Sequence, residues 1–92
     1  MPTATTGLYW TELRIFLEVA EAGSFHLAAQ QLGISHPTVA RAVRRLETEL
    51  HTTVVMAHPR GAVLTPAGER LAGVLAKVDA EIGKTVRRIA RH

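Results

Sequence analysis

The sequence predicts a mainly α-helical domain with one β-hairpin, followed by a long C-terminal helix. Apolar residues recur at helical spacing in three successive segments, which glycine and serine residues separate. Two short apolar segments rich in β-branched residues, 52–56 and 62–65, flank a loop of histidine, proline, arginine and glycine. With 92 residues, of which 47% are hydrophobic and 21% charged, the chain has the composition of one small globular domain.

Glycine and serine residues mark the ends of the first three predicted helices. The first helix begins near Trp10, and Gly23 ends it. Ser24 is predicted to cap a second, short helix, which a further glycine ends. Ser35 is predicted to cap a third helix, whose first turn tolerates a proline because its N–H groups have no intrahelical partner. We expect this third helix to run to about Leu50.

The fourth predicted helix is long and carries a single apolar stripe. Thr65 is predicted to cap it, with Pro66 as its first residue. The stripe extends over about 25 residues, or roughly 37 Å of helix. Its members are Leu71, Leu75, Val78, Ile82, Val86 and Ile89. A domain of three short helices is too small to cover such a stripe, so we expect it to pair with a second copy of the chain. A helix that folds back on its own domain is the alternative.

Composition excludes several classes of function. The chain has no cysteine, which removes disulfides, thiolate nucleophiles and cysteine-zinc sites. Its five histidines lack the paired spacing of metal ligands, its serines have no nearby base, and no glycine-rich phosphate loop is present. No apolar run approaches the roughly 20 residues that span a bilayer, and the start of the chain lacks a signal-peptide pattern. We therefore expect a cytoplasmic protein that contacts no membrane, is not an enzyme and binds no cofactor or metal.

Positive charge is concentrated in the third helix, the hairpin and the C-terminal end. The net charge is +3, and residues 35–60 carry four arginines against two glutamates, whereas residues 84–92 carry four cations and no acid. A helical wheel of the third helix places Arg41, Arg44 and Arg45 opposite its apolar face. On an isolated helix, such a face is usually no more than a solvated surface. The preceding residues favour a functional interpretation.

The residues before the third helix, together with that helix, have the spacing of a helix-turn-helix. Ala28 and Ala29 are small enough to let two helices approach closely, and Gly33 permits the sharp turn between them. An α-helix fits the major groove of DNA, with its N-terminal residues nearest the base edges. The hairpin would then be a wing that reaches the minor groove. The candidate major-groove residues are Ser35, His36, Pro37, Thr38, Ala40 and Arg41, the candidate phosphate contacts are Ser24, Arg44 and Arg45, and the candidate minor-groove contact is Arg60.

Ordered motifs cover residues 13–68. They are Leu-Arg-Ile-Phe at 13–16, Gly-Ser-Phe at 23–25, Ala-Ala at 28–29, Ser-His-Pro-Thr-Val-Ala-Arg at 35–41, Arg-Leu-Glu at 45–47 and Leu-Thr-Pro-Ala-Gly at 64–68. In this order and spacing the chain resembles the N-terminal DNA-binding domain of LysR-type transcriptional regulators. The C-terminal stretch resembles the linker helix of that family, through which the DNA-binding domains pair. The family's effector-binding domain lies beyond this helix and is not among these 92 residues.

The resemblance implies a winged helix-turn-helix that binds double-stranded promoter DNA as a dimer or a tetramer of dimers. It implies the DNA-binding domain at 8–65 and the linker and dimerisation helix at 66–92. Residues 1–7 have no periodic apolar face and are expected to be disordered. His36 replaces the usual glutamine, Ala40 the usual serine, and Ala57 a common wing arginine, so the base preference and one backbone contact are expected to differ from the family pattern. The alternative function is a protein-interaction module that dimerises without specific DNA binding, and the retained arginines argue against it.

Overall fold

The computed structural model describes residues 10–91, which form four helices and one antiparallel hairpin. In chain order the elements are α1 (Trp10–Ala22), α2 (Phe25–Leu32), α3 (His36–Leu50), β1 (Val55–His58), β2 (Gly61–Leu64) and α4 (Pro66–Ala90). This order confirms the predicted mainly α fold with a hairpin between the third and fourth helices. The segment 1–7, predicted to be disordered, lies outside the described residues.

The predicted helix caps are confirmed. The hydroxyls of Ser24, Ser35 and Thr65 each accept a hydrogen bond from the backbone N–H three residues later, at 3.1, 3.2 and 3.0 Å. These bonds satisfy donors that lack a partner within the helix. Gly33 ends α2 in the left-handed conformation, with φ of 70°. The turn between α2 and α3 is therefore fixed at both of its ends by local backbone chemistry.

The core lies where α1, α2, α3 and the start of the hairpin meet. The largest fully buried side chains are Phe16, Val19, Val39, Leu46 and Val54. Burial of each apolar side chain of this kind stabilises the fold by roughly 1.5–3 kcal/mol. The small side chains of Ala28 and Ala29 are also buried, which allows α2 to approach its neighbours closely. The apolar face of α3 is thereby turned inward, and its opposite face remains in solvent.

The hairpin begins later than the sequence predicts. Its register pairs Val55 with Leu64 and continues to the turn, so residues 52–54 lie outside the ladder. The reason is competition for the backbone groups of this segment. The Glu47 carboxylate accepts hydrogen bonds from the N–H groups of Val54 and Val55, at 2.9 and 3.2 Å, and the Val54 carbonyl accepts one from the Thr65 N–H, at 3.1 Å.

The hairpin is also attached to the turn between α1 and α2. The Ala62 N–H donates a hydrogen bond to the carbonyl of Gly23, at 3.0 Å. Gly61 lies so close to this turn that a Cβ at its position would be 2.3 Å from the Gly23 carbonyl oxygen, and its φ of 136° also favours glycine. The wing therefore has fixed contacts with both the α1–α2 turn and α3.

The long helix α4 packs on its own domain over its first part only. Leu75 is buried and Leu71 half-buried against the core, and Asp79 forms an ion pair with Arg14 of α1. Beyond this point the apolar stripe is exposed, with Ile82, Val86 and Ile89 at 53%, 57% and 66% exposure. Within residues 10–91, no helix has the combination of length and apolar character that crossing a membrane requires.

Candidate nucleic-acid interface

The solvent face of α3 carries the arginines that the helical wheel predicts there. Arg41, Arg44 and Arg45 are all exposed. The opposite face is buried and consists of Val39, Ala42, Val43 and Leu46. One side of the helix is therefore held by apolar packing, and the other presents positive charge to solvent.

Polar side chains in the first turn of α3 are linked by hydrogen bonds. The Ser35 and Thr38 hydroxyl oxygens are 2.8 Å apart, and the Arg41 guanidinium donates to the Thr38 hydroxyl at 3.4 Å. Ser35 and Arg41 are exposed, whereas Thr38 is half-buried. The structure thus brings three of the candidate major-groove residues together in one ordered group at the helix N-terminus.

The other candidate major-groove residues surround this group. His36 and Pro37 are exposed, and Ala40 is half-buried on the following turn. The His36 ring lies against the ring of Phe25, the first residue of α2, with centroids 5.8 Å apart and an interplanar angle of 32°. His36 is therefore in contact with a side chain of the neighbouring helix.

The arginines of this face have different electrostatic environments. Arg45 has a guanidinium nitrogen 3.5 Å from a carboxylate oxygen of Glu12 on α1. The Glu12 side chain is 13% exposed and that of Arg45 is 63% exposed. Within residues 10–91, Arg41 and Arg44 have no carboxylate partner. The predicted phosphate contacts Arg44 and Arg45 thus differ, because Arg45 forms an ion pair within residues 10–91 and Arg44 does not.

The two remaining candidates lie in and beside the turn of the wing. Arg60 is exposed in the tight turn between β1 and β2, where its N–H donates to the His58 ring at 3.2 Å. Ser24 is half-buried and its hydroxyl is occupied as the cap of α2. Ser24 follows Gly23, whose carbonyl accepts a hydrogen bond from the Ala62 N–H, so the start of α2 is adjacent to the turn end of the wing.

Glu47 is a residue of this region whose role the sequence interpretation missed. Its carboxylate accepts hydrogen bonds from the N–H groups of Val54 and Val55 at the start of β1. The carboxylate therefore fixes the position of the wing relative to α3. The only sequence signal was its place beside a segment of β-branched residues, and that pattern does not reveal which backbone groups remain unpaired.

A family profile matches the residues that build this interface. The profile is that of the bacterial regulatory helix-turn-helix proteins of the lysR family, and it matches residues 10–69, about two thirds of the chain. The chain belongs to the lysR family. The match extends from α1 through the capped turn, the arginine face and the wing to the start of α4.

Curated relatives of this lysR-family chain are named as regulators. The chain is 43% identical over 77 residues to the HTH-type transcriptional regulator BudR of Raoultella terrigena. The alignment covers 79% of this chain and 27% of BudR. The chain is also 41% identical over 66 residues to the AhcY transcriptional activator HvrB of Rhodobacter capsulatus. This alignment covers 72% of the chain and 23% of HvrB. The chain spans about a quarter of the length of these relatives.

Solved structures of the family confirm the winged helix-turn-helix fold. The crystal structure of the BenM_DBD/catB site 1 DNA complex matches with a TM-score of 0.80 and 30% identity, over 88% of this chain and 90% of that one. The LysR family transcriptional regulator CbnR matches with a TM-score of 0.77 and 29% identity, over 89% of this chain and 28% of that one.

Proposed function

We propose that this chain is the part of a LysR-type transcriptional regulator that binds a specific double-stranded DNA sequence, and that it does so as a homodimer. One observation carries the proposal. The exposed face of α3 presents Arg41 and Arg44 without a carboxylate partner in residues 10–91, on a helix whose other face is packed into the core. Cations that have no carboxylate partner, on the solvent face of a packed helix, suit the phosphates and base edges of a major groove.

The candidate residues divide by the kind of contact they would make. Ser35, His36, Pro37, Thr38, Ala40 and Arg41 are proposed to face the base edges, because they lie in the first turns of α3. Ser24, Arg44 and Arg45 are proposed to contact phosphates, and Arg60 the minor groove beside them. The DNA complex of the BenM domain supports this use of the fold, since that protein binds DNA with the same architecture.

The proposed division of the chain assigns residues 8–65 to DNA binding and 66–92 to dimerisation. Support comes from the distribution of exposed apolar side chains on α4. Leu71 and Leu75 are committed to the core of their own domain, so the surface left for a partner is formed by Val78, Ile82, Val86 and Ile89. Association through these residues would remove their apolar surface from water.

A cytoplasmic location and the absence of enzymatic activity are parts of the same proposal. The relatives BudR and HvrB are named as a transcriptional regulator and a transcriptional activator. A bacterial protein that binds promoter DNA has this binding partner in the cytoplasm. The proposed role requires binding and dimerisation only, so no catalytic group is assigned.

Selection from a pool of randomised duplexes tests the proposal. The purified chain is incubated with the pool, bound DNA is recovered and amplified, and the enriched sequences are compared. A dimer that reads bases through α3 should enrich two related half-sites separated by about one helical turn. Recovery of unenriched DNA, or of no DNA at low salt, would contradict sequence-specific binding and would favour the protein-interaction alternative.

A further inference from the structure

The first residue of α2 and the first residue of α3 are in ring contact across the helix-turn-helix. The ring centroids of Phe25 and His36 are 5.8 Å apart, with an interplanar angle of 32°. Phe25 is half-buried and packs against the hydrophobic core, whereas His36 is exposed at the N-terminus of α3. An anchored aromatic side chain therefore supports an exposed imidazole at a candidate base-reading position.

We propose that Phe25 is a positioning residue that fixes the imidazole of His36 against a guanine in the major groove. The inference rests on the proposed function and extends it to one base. A histidine side chain has two rotatable bonds, and an exposed ring without neighbours samples several rotamers. Contact with the Phe25 ring restricts that freedom before DNA binds, so less side-chain entropy is lost on binding.

The choice of guanine follows from the hydrogen-bonding groups of the imidazole ring. An imidazole ring carries an N–H group at one or both of its nitrogens, and an edge that carries it presents a single donor to the groove. Guanine presents two adjacent acceptors there, N7 and O6, whereas adenine presents one acceptor beside an N–H donor. An N–H donor directed between these two groups meets an acceptor at either position on guanine, whereas on adenine it lies beside the N6 amino donor.

Replacement of His36 by glutamine gives a direct comparison of the two side chains. A glutamine amide suits adenine because it donates and accepts along one edge. The ring contact with Phe25 has no equivalent in a side chain that lacks a ring. We therefore expect His36→Gln to change the preference at one base pair of each half-site from guanine to adenine.

The test compares selected sequences and then affinities. Randomised duplexes are selected with the wild-type chain, His36→Gln and Phe25→Leu, and affinities are measured by fluorescence anisotropy on two duplexes that differ only at the affected base pair. Phe25→Leu keeps an apolar side chain in the core but removes the ring. It should lower the ratio of guanine to adenine affinities by about fivefold, the size expected for a single directed contact.

Two further variants separate positioning from general packing. Leu32→Ala alters another half-buried residue of α2, and it should lower thermal stability without changing the base preference. In the background of His36→Ala, Phe25→Leu should have no further effect on the guanine to adenine ratio. A structural role for Phe25 would instead weaken binding to both duplexes equally in either background.

The outcomes are distinct for the inference and for the proposed function. If the wild-type chain enriches a sequence but Phe25→Leu keeps the full guanine to adenine ratio, or His36→Gln leaves the preferred base unchanged, the positioning role is wrong and the function stands. If the wild-type chain enriches no sequence, the proposed function fails and the inference fails with it.

Discussion

Three arginines on one helix face differ in the neighbours that their guanidinium groups contact. Arg41 donates to the Thr38 hydroxyl, and Arg45 is paired with Glu12 of α1. Arg44 has no carboxylate partner within residues 10–91. A helical wheel places all three on the same face but does not show these differences. The expected effects of replacing them therefore also differ.

Replacement of Arg41 and of Arg44 should affect DNA binding in different ways. Arg41→Ala should cost about 1–3 kcal/mol on a preferred site and relax the choice of base there, because Arg41 lies in the proposed base-reading part of α3. Arg44→Ala should weaken binding to every sequence and lower the salt slope by about one for each protomer. Fluorescence anisotropy on selected and scrambled duplexes checks both. Unchanged affinity in both variants would show that this face does not contact DNA.

Replacement of Arg45 should lower stability as well as affinity. The variant Arg45→Ala leaves the largely buried Glu12 carboxylate without its cation, and one Glu12 oxygen already lacks a hydrogen-bond partner among the described residues. We expect the free energy of unfolding to fall by about 1 kcal/mol, measured by urea denaturation. Arg44→Ala is the matched control and should leave stability nearly unchanged. Equal stability of the two variants would show that the ion pair does not contribute.

At the scale of the elements, local signals predicted the helices well and the start of the hairpin less well. Caps at Ser24, Ser35 and Thr65 act on backbone groups three residues away, so the sequence shows them directly. The start of β1 depends on Glu47, which belongs to α3. Its carboxylate accepts hydrogen bonds from the N–H groups of Val54 and Val55. Such competition between elements has no signature in local periodicity.

The contact between α4 and the segment before β1 has a measurable consequence at Gly68. A Cβ at this position would be 2.1 Å from the Val54 carbonyl oxygen, so the two backbones approach closely only because a glycine is present. We expect Gly68→Ala to lower the free energy of unfolding by about 1–3 kcal/mol through overpacking.

Gly73→Ala is the matched control on the same helix, since no neighbouring atom lies within 4 Å of its added Cβ. This variant should raise stability by about 0.5–1 kcal/mol, because alanine favours a helix interior more than glycine does. Urea denaturation of both variants measures the two changes in the free energy of unfolding. Destabilisation of the same size in both would mean that the effect at Gly68 does not come from the contact with Val54.

At the scale of the whole molecule, α4 has one part inside the domain and one part outside it. The ion pair between Arg14 and Asp79, together with buried Leu75, attaches the first part to α1. The periodicity of the stripe predicted the helix but not this division, because the spacing of apolar residues does not show which turns a neighbour covers. For the same reason the sequence predicted the arginine face of α3 but not the pairing of Arg45 with Glu12.

The exposed part of α4 should carry the dimer contact. Val86→Glu places a charge in an apolar surface that the proposed partner would bury, and it should yield monomers in light scattering. Met56→Glu on the wing is the matched control, because Met56 is 56% exposed and Val86 is 57% exposed. A Val86→Glu protein with the mass of a dimer would contradict the proposed interface, as would dissociation of both variants.

The central claim is that the arginine face of α3 and the wing bind DNA, and its most direct test is the salt dependence of binding. A labelled duplex of mixed sequence is titrated with the purified chain at several salt concentrations, and affinity is measured by fluorescence anisotropy. Because cations that neutralise phosphates release counterions, affinity should rise as salt falls, with a slope of several units on logarithmic axes. Absence of binding at low salt by a chain verified as a folded dimer would contradict the account.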